Sequence, residues 1–226
     1  MTVEYCVISI GALSHNRLWG ESAPVRTAHA TTTLLRDEER VILVDPSLPA
    51  PVLAARLGER VGVGMADVTD VFCTTLRPVH RRAVEALASA AWWTGELELE
   101  SYRAHLSSLA ESAERLGDDD LRAVEADLKL LERFQPVPDR LTRQVHYFPL
   151  PGASPGSAGL LLAQPASSIL IAGDAALTIE HLRRGQIWQG CAGHQAARES
   201  LSNMLEVADL IIPGHDNITP APSRWL

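Results

Sequence analysis

Three polar side chains lie where strand-like or turn segments end, and each is a candidate for contact with a ligand. His80 ends the stretch TTLRPVH, Asp174 ends SSILIAGD, and His215 ends ADLIIPGH. The last two runs are typical of strands, and α/β folds place ligands at strand ends. Two histidines and a carboxylate are also a recognised ligand set for a catalytic metal. We therefore expect Asp174 and His215 to lie at a ligand site, and His80 is a candidate residue at the start of the following helix.

Arg77, three residues before His80, leads to a second hypothesis. Its guanidinium could form a bidentate pair with Asp174 and so offset that charge without a metal. Beside a divalent ion in a dry site, the same guanidinium would be strongly repelled. Two alternatives follow: a site that holds one metal ion with water, or a metal-free site in which Arg77 supplies the positive charge. We favour the second because it explains the arginine.

A serine-hydrolase interpretation is also available, because GASPG at residues 152–156 matches the G-x-S-x-G pattern. Ser154, Asp174 and His215 even follow the chain order of an α/β-hydrolase triad. However, the residue after the serine is Pro155, which has no N–H to stabilise an oxyanion. The following segment also reads as a turn into a strand, where the nucleophile turn should lead into a helix. We therefore set this interpretation aside.

The elements that must position these residues alternate between strands and helices. Helical patterns cover residues 47–60, the stretch RRAVEALASAAWW from about Val79, and HQAARESLSNMLEVA. Strand-like runs are VEYCVISIG, ATTTLLR, VILVDP, VTDVFCTT, RQVHYFPLPG, AGLLLAQ, SSILIAGD and ADLIIPG. This order predicts an α/β fold with internal sheets.

The middle of the chain, residues 96–134, carries no strand signal. Two helical faces are predicted there: Leu106, Leu109, Ala113 and Leu116 on one, and Leu121, Val124, Leu128 and Leu131 on the other. The intervening GDDD can cap the second helix and favour its positive N-terminal end. We expect a helical hairpin packed on the core that can also overhang a site; a partner-binding helix pair is the alternative.

Composition limits the class of protein. The 226 residues are 46% hydrophobic and 21% charged, as in a soluble globular domain. A net charge of −8 without a Lys/Arg-rich stripe argues against nucleic acid as a partner. The N-terminal apolar stretch lacks a basic leader and is too short to cross a bilayer, and the cysteines are widely separated. We expect a cytoplasmic protein with no membrane partner and a small-molecule ligand; the sequence is compatible with a homo-oligomer.

Four stretches in order resemble the metallo-β-lactamase superfamily. They are LVDP at 43–46, TTLRPVH at 74–80, PGASPGS at 151–157 with IAGD at 171–174, and IIPGH at 211–215. The resemblance spans nearly the whole chain. It implies one domain over residues 1–226, built as a four-layer αβ/βα sandwich of two mixed β-sheets flanked by helices, with a helical insertion at about 96–134.

The resemblance also implies which ligands are missing. In that family the second stretch reads T-H-x-H-x-D-H, and its histidines help to hold two zinc ions that activate water. Thr75, Arg77 and Ala153 stand at the three histidine positions of the first zinc, and none is a plausible zinc ligand. A degenerate metal site without ordinary dinuclear zinc hydrolysis is therefore expected, in a protein that binds a small ligand or a partner.

The second metal position is better preserved. Val79 replaces an aspartate, whereas His80, Asp174 and His215 stand at ligand positions. The expected cofactor is therefore none, or a single zinc or similar divalent ion. In the alternative function, that ion serves hydrolysis of an ester, lactone or thioester, with Asp174 as the catalytic residue.

Other residues have supporting roles in this prediction. Asp45 in LVDP is expected to be a structural carboxylate beneath the site. His146 is the most plausible substitute ligand, because it lies on a strand shortly before the altered PGASPG turn. Trp19 and Arg26 could contact a ligand from the N-terminal loops, although an exposed loop is an equally good interpretation.

Overall fold

The structure, a computed structural model, describes residues 2–112 and 117–222. The first of its two sheets contains β1 (Glu4–Ser9), β2 (Thr32–Asp37), β3 (Arg40–Val44), β4 (Asp70–Phe72), β5 (Ala91–Thr94) and β6 (Phe134–Pro136). The strands lie in sequence order across this sheet. The pairs β1–β2 and β2–β3 are antiparallel, and the pairs from β3 to β6 are parallel. The sheet is therefore mixed.

The second sheet is also mixed. It contains β7 (Val145–Pro149), β8 (Ala158–Ala163), β9 (Ser168–Gly173), β10 (Leu210–Pro213) and β11 (Thr219–Pro220). The order across the sheet is β11-β10-β9-β8-β7. The pair β9–β10 is parallel and the others are antiparallel. As a result, β9 and β10 end at the same edge.

Helices cover the outer face of each sheet. They are α1 (Ala50–Val61), α2 (Glu96–Glu111), α3 (Asp118–Leu131), α4 (Ile179–Arg183) and α5 (His194–Val207). Apolar side chains of α1, α2 and α3 pack on the first sheet. Those of α4 and α5 pack on the second.

Strand β3 shows how the layers arise from alternation of side chains. Val41 and Leu43 face the helices on the first sheet, whereas Ile42 and Val44 point into the core between the sheets. That inner core also takes Ile171 from the second sheet. The layers are therefore helix, sheet, sheet, helix, which confirms the predicted αβ/βα sandwich.

One predicted element is wrong. The helix expected from about Val79 is replaced by two short 3-10 turns, Pro78–His80 and Val84–Leu87, followed by β5. Strand β5 lies between β4 and β6, with Trp92 buried beneath the helices. Sheet pairing and burial of the aromatic residue outweigh the helical preference of this alanine-rich segment.

The helical hairpin is present as α2 and α3. Leu106 and Leu131 are buried in the core beneath these helices. Ala113 and Leu116, which were predicted on the first helical face, lie outside the described residues. Helix α3 begins with three aspartates in its first turn, but its N-cap is Gly117 and has no side-chain cap. That the hairpin is an insertion within a single domain stays a prediction.

No helix within residues 2–112 and 117–222 combines the length and apolar character needed to cross a membrane. The cytoplasmic location remains a prediction.

Candidate functional site

The three predicted polar residues meet where the two sheets come together. His80 closes the 3-10 turn that follows β4, Asp174 follows β9, and His215 follows β10. One ligand atom from each lies within 4.8 Å of the other two, and all three residues are buried. We call them the His–Asp–His cluster. Among residues 2–112 and 117–222, it is the group whose geometry could hold a metal ion.

Gly173 makes this approach feasible because it lies at the contact between the sheets. Its φ is +52°, a left-handed conformation that side chains disfavour. A Cβ atom there would lie 2.4 Å from Thr74 Oγ1, well inside van der Waals contact. Only glycine therefore lets the end of β9 approach the end of β4 and present Asp174 to His80.

The two imidazole rings are oriented by oxygen acceptors behind them. His215 Nδ1 lies 2.9 Å from the carbonyl oxygen of His29, which can only accept, so this nitrogen carries a proton. His80 Nδ1 lies 3.0 Å from Asp45 Oδ2. Each ring thus points its Nε2 atom into the cluster, where Asp174 Oδ1 is 3.2 Å from His80 Nε2 and 3.1 Å from His215 Nε2.

This arrangement requires a positive charge at its centre. Two neutral imidazoles would aim lone pairs at a carboxylate oxygen, so a proton or a metal ion must lie between them. Burial lowers the pKa of His80, but the charges of Asp174 and Asp45 outweigh it and raise the pKa from 6.5 to about 10. Burial raises the pKa of Asp174, but His80 and His215 bring it well below its usual range. Without a metal, His80 therefore holds the proton.

The cluster fits a single divalent ion. His80 Nε2 is fully buried and faces Asp174 Oδ1 at 3.2 Å, so a lone pair there is available to an ion once the proton leaves. The oxygens that orient both rings resemble the outer ligands usual around metal-binding histidines. His80, Asp174 and His215 would hold the ion, which would supply Lewis acidity to a bound carbonyl or water.

The three residues at the positions that the family resemblance assigns to a first metal are Thr75, Arg77 and Ala153. Thr75 Oγ1 donates to Glu98 Oε1 across 2.7 Å, and the side chain of Ala153 has no donor atom. Arg77 contributes a cation in place of a ligand. These three positions therefore offer no imidazole, thiolate or carboxylate.

Arg77 pairs with the carboxylate oxygen that the histidines leave free. Its Nη1 donates to Asp174 Oδ2 across 2.8 Å, while its Nη2 donates to the carbonyl oxygen of Ala153. The guanidinium carbon lies 4.1 Å from the centroid of the Trp188 ring, a cation–π distance. The prediction of a bidentate pair between Arg77 and Asp174 is wrong, because the second guanidinium nitrogen donates to the backbone carbonyl of Ala153.

Glu98 is a residue of the site that sequence reasoning missed. It is 1% exposed, at the start of α2. Its Oε1 accepts from Thr75 Oγ1 at 2.7 Å and Leu76 N at 2.9 Å. Its Oε2 accepts from Ser154 Oγ at 2.6 Å and Gly156 N at 3.3 Å. One carboxylate thus links α2 to the two turns that carry Arg77 and Ala153.

No sequence signal separated Glu98 from its neighbours. It lies in the stretch ELELE, where Glu96 and Glu100 are exposed. All three glutamates are compatible with a solvated helix start near its positive end. Only the position of the 151–157 turn distinguishes Glu98.

Ser154 does not form a catalytic triad. Its hydroxyl donates to Glu98, and Asp174 interacts with Arg77 and the two histidines. The serine-hydrolase interpretation therefore has no geometric support.

Asp45 lies beneath the His–Asp–His cluster, in the supporting position predicted for it. It accepts from Thr74 N at 2.8 Å and from Thr74 Oγ1 at 2.7 Å, in addition to facing His80. Its φ of 48° is unusual for a residue other than glycine. This backbone conformation persists because three buried hydrogen bonds, from Thr74 and His80, hold the carboxylate.

A cavity of about 840 Å³ opens beside the cluster. Asp174 and His215 lie in its wall with Arg77, whose side chain is 26% exposed. Apolar walls come from Leu13, Leu18, Leu177, Ile187 and Trp188.

The charged side chains of this main cavity are mostly basic, although the chain carries a net charge of −8. Arg17 and Arg198 lie exposed at its wall, and Asp174 is its carboxylate. Burial lowers the pKa of His181, so that imidazole is neutral at pH 7. The cavity therefore suits a molecule with an apolar part and a negative charge.

Three residues considered in the sequence lie elsewhere. Arg26 pairs with Glu21 and lies 5.2 Å from the Trp19 ring, and neither Arg26 nor Trp19 lines the main cavity. His146 Nε2 contacts the carbonyl oxygen of Arg143 at 3.1 Å, and His146 is outside the His–Asp–His cluster.

Solved structures share this fold. A metallo-β-lactamase-like protein of Thermotoga maritima is 17% identical, with a TM-score of 0.70 over 97% of this chain and 100% of that chain. AidC, a dizinc quorum-quenching lactonase, is 16% identical, with a TM-score of 0.66 over 95% and 84% of the two chains. An N-acyl homoserine lactone hydrolase is 18% identical, with a TM-score of 0.65 over 95% and 93%. At these identities the likeness shows the fold alone.

A match between the sequence and a family profile identifies the family. No curated protein matches the chain. The profile of the metallo-β-lactamase superfamily, however, matches residues 26–215, which include every residue of the His–Asp–His cluster. The chain therefore belongs to the metallo-β-lactamase superfamily.

Proposed function

We propose that this protein lacks ordinary dinuclear zinc hydrolysis and binds a small anionic molecule in the main cavity. The observation that carries this proposal is the Arg77–Asp174 pair. Arginine keeps its charge at any ordinary pH, so the cation beside Asp174 is permanent.

Charge and geometry both oppose a second metal ion. Two cations about 5 Å apart repel by several kcal/mol when one is divalent, even at an effective dielectric constant of about 20. Asp174 also has one oxygen occupied by Arg77 and one facing the histidines. It has no oxygen left to bridge two ions.

The main cavity supports an anionic ligand with an apolar part. Its volume of about 840 Å³ lies within the usual range of ligand pockets. Two structural neighbours hold N-hexanoyl-L-homoserine, a carboxylate with an apolar chain. The apolar walls and arginines of this cavity suit the same chemical class.

Octanoate and its uncharged analogue octanamide test this function. We expect octanoate to bind more tightly in calorimetric titrations, because its carboxylate is attracted by the arginines. We also expect zinc-supplemented protein to leave aryl esters, lactones and thioesters uncleaved. Equal binding of the two probes would overturn the anionic-ligand proposal, and zinc-dependent cleavage with two ions per chain would overturn the first part.

A mononuclear metal-dependent hydrolase is the second candidate. It is favoured by the geometry of the His–Asp–His cluster, in which the buried Nε2 of His80 faces Asp174 and His215 at metal-ligand spacing. One bound ion would serve hydrolysis of an ester, lactone or thioester, with Asp174 beside the reacting group. Elemental analysis should then find one ion per chain in the wild type and none in His215→Ala. A wild type that stays metal-free after growth in zinc-rich medium would exclude this candidate.

A further inference from the structure

A second, smaller cavity lies on the other side of Arg77. It has a volume of about 280 Å³ and shares Arg77 and Gly190 with the main cavity. Helix α2 forms one wall with Glu98, Ser101, Tyr102 and His105, whose spacing places them on one helical face. Ser154 and its neighbours form the opposite wall. The two cavities therefore adjoin at the guanidinium.

The carboxylate in this smaller cavity is already saturated with hydrogen bonds. A carboxylate has about four lone-pair sites, and Glu98 receives four donors: two on Oε1 and two on Oε2. The carbonyl oxygen of Ala153 accepts from Arg77. A cationic ligand group would therefore find its natural partner fully occupied.

Donor groups, in contrast, remain available. The guanidinium of Arg77 has about five N–H bonds, and its hydrogen bonds to Asp174 and Ala153 use only part of them. Tyr102 and His105 add a hydroxyl and an imidazole, with ring centroids 6.4 Å apart. The smaller cavity thus presents donors to a ligand.

We propose that the smaller cavity is a subsite for the carboxylate of the ligand, whose apolar part lies in the main cavity. This inference rests on the proposed binding of a small anionic molecule. The volume suits a carboxylate with a few carbon atoms, because whole ligands usually fill about 300 Å³ or more. Arg77 then contacts the ligand at the junction.

The partial burial of Arg77 favours this position over the rim of the main cavity. Arg17 and Arg198 are exposed, so water and salt screen their attraction for an anion. The side chain of Arg77 is only 26% exposed, and an anion beside it would be screened less. Arg77 shares its charge with Asp174 at 2.8 Å, and Glu98 adds a carboxylate to the lining, so binding of the ligand carboxylate at the junction rests on the free N–H groups of the guanidinium.

Blocking the smaller cavity tests the proposal. Ser101→Phe places a ring in it from α2, whereas Ser108→Phe adds the same ring at an exposed position of the same helix outside it. We expect Ser101→Phe to weaken octanoate binding by at least about tenfold and Ser108→Phe to change it less than about twofold. His105→Leu, at an exposed side chain, removes the imidazole donor and should weaken octanoate binding more than octanamide binding, and it serves if Ser101→Phe fails to fold.

The outcomes separate the two proposals. If the wild type does not bind octanoate, the anionic-ligand function fails. If the wild type binds octanoate and neither Ser101→Phe nor His105→Leu weakens that binding, the subsite is wrong while the function stands.

Discussion

Arg77 donates from Nη1 to Asp174 Oδ2 across 2.8 Å, while the other oxygen of that carboxylate faces two imidazole nitrogens. Asp174 is therefore shared between a permanent cation and a pair of metal-capable histidines. The pair with Arg77 favours a metal-free binding protein, whereas the pair of histidines favours a mononuclear hydrolase. Removing the charge of Arg77 therefore distinguishes the two functions.

Arg77→Leu should strengthen zinc binding at the His–Asp–His cluster. The substitution removes a cation beside the ion and releases Asp174 Oδ2, so we expect the affinity to rise by at least about tenfold. Competition with a chromophoric chelator measures it. Arg26→Leu is the control, because Arg26 pairs with Glu21 outside the cluster. An affinity that is unchanged or lower in Arg77→Leu would contradict the electrostatic argument.

Glu98→Gln should destabilise the fold. The substitution replaces one acceptor oxygen with an NH₂ group that faces buried donors, and a cost of about 2–4 kcal/mol in the free energy of unfolding is expected. Urea denaturation provides the measurement. Glu100→Gln changes an exposed glutamate of the same helix and should cost less than about 0.5 kcal/mol. Equal effects of the two substitutions would show that the Glu98 bonds contribute little.

Gly173→Ala should be more costly than Gly185→Ala. Both glycines have positive φ, but an added Cβ meets Thr74 at Gly173 and open space at Gly185. We expect about 1 kcal/mol of destabilisation at Gly185 from the backbone alone, and at least about 2 kcal/mol more at Gly173. Thermal unfolding of the two variants compares them. Similar losses of stability in the two variants would mean that the ends of β4 and β9 are not closely packed.

The stability of the metal-free protein should depend on the charge of His80. Its pKa is raised from 6.5 to about 10 on folding, so the stabilisation is fully present below pH 6.5 and is lost as the pH rises through 10. The pKa of Asp174 is lowered, so its contribution is present above its unfolded value of 3.8 and is lost under more acidic conditions. Urea midpoints of chelator-treated protein should therefore fall between pH 6.5 and 10.

The matched control for this pH dependence is His80→Gln, which cannot titrate at that position. Its urea midpoint should fall less over the same interval of pH. A wild-type midpoint that stays constant from pH 6.5 to 10 would show that His80 is not held as an imidazolium.

Much of this site was predictable because its polar residues lie just after buried strands or turns. His80, Asp174 and His215 each come after a buried run, and parallel strands such as β9 and β10 bring their last residues to one edge. The charge of Arg77 also pointed to Asp174. Its monodentate geometry depends on Ala153, which the chain brings close only in the folded protein.

Other features depend on contacts that local patterns do not contain. Strand β5 lies in an alanine-rich stretch with a helical pattern, and its pairing with β4 and β6 decides its conformation. In the sequence, Glu98 is indistinguishable from an exposed glutamate. In the folded protein, the turn that carries Ser154 buries it. Buried polar networks of this kind join distant segments, so spacing along one segment cannot reveal them.

The stoichiometry of zinc binding tests the central claim most directly. Purified wild-type protein is saturated with zinc, passed through a desalting column, and examined by elemental analysis. We predict no more than one ion per chain, because Arg77 occupies Asp174 Oδ2 and the positions of Thr75 and Ala153 provide no ligands. Two retained ions per chain would contradict this account.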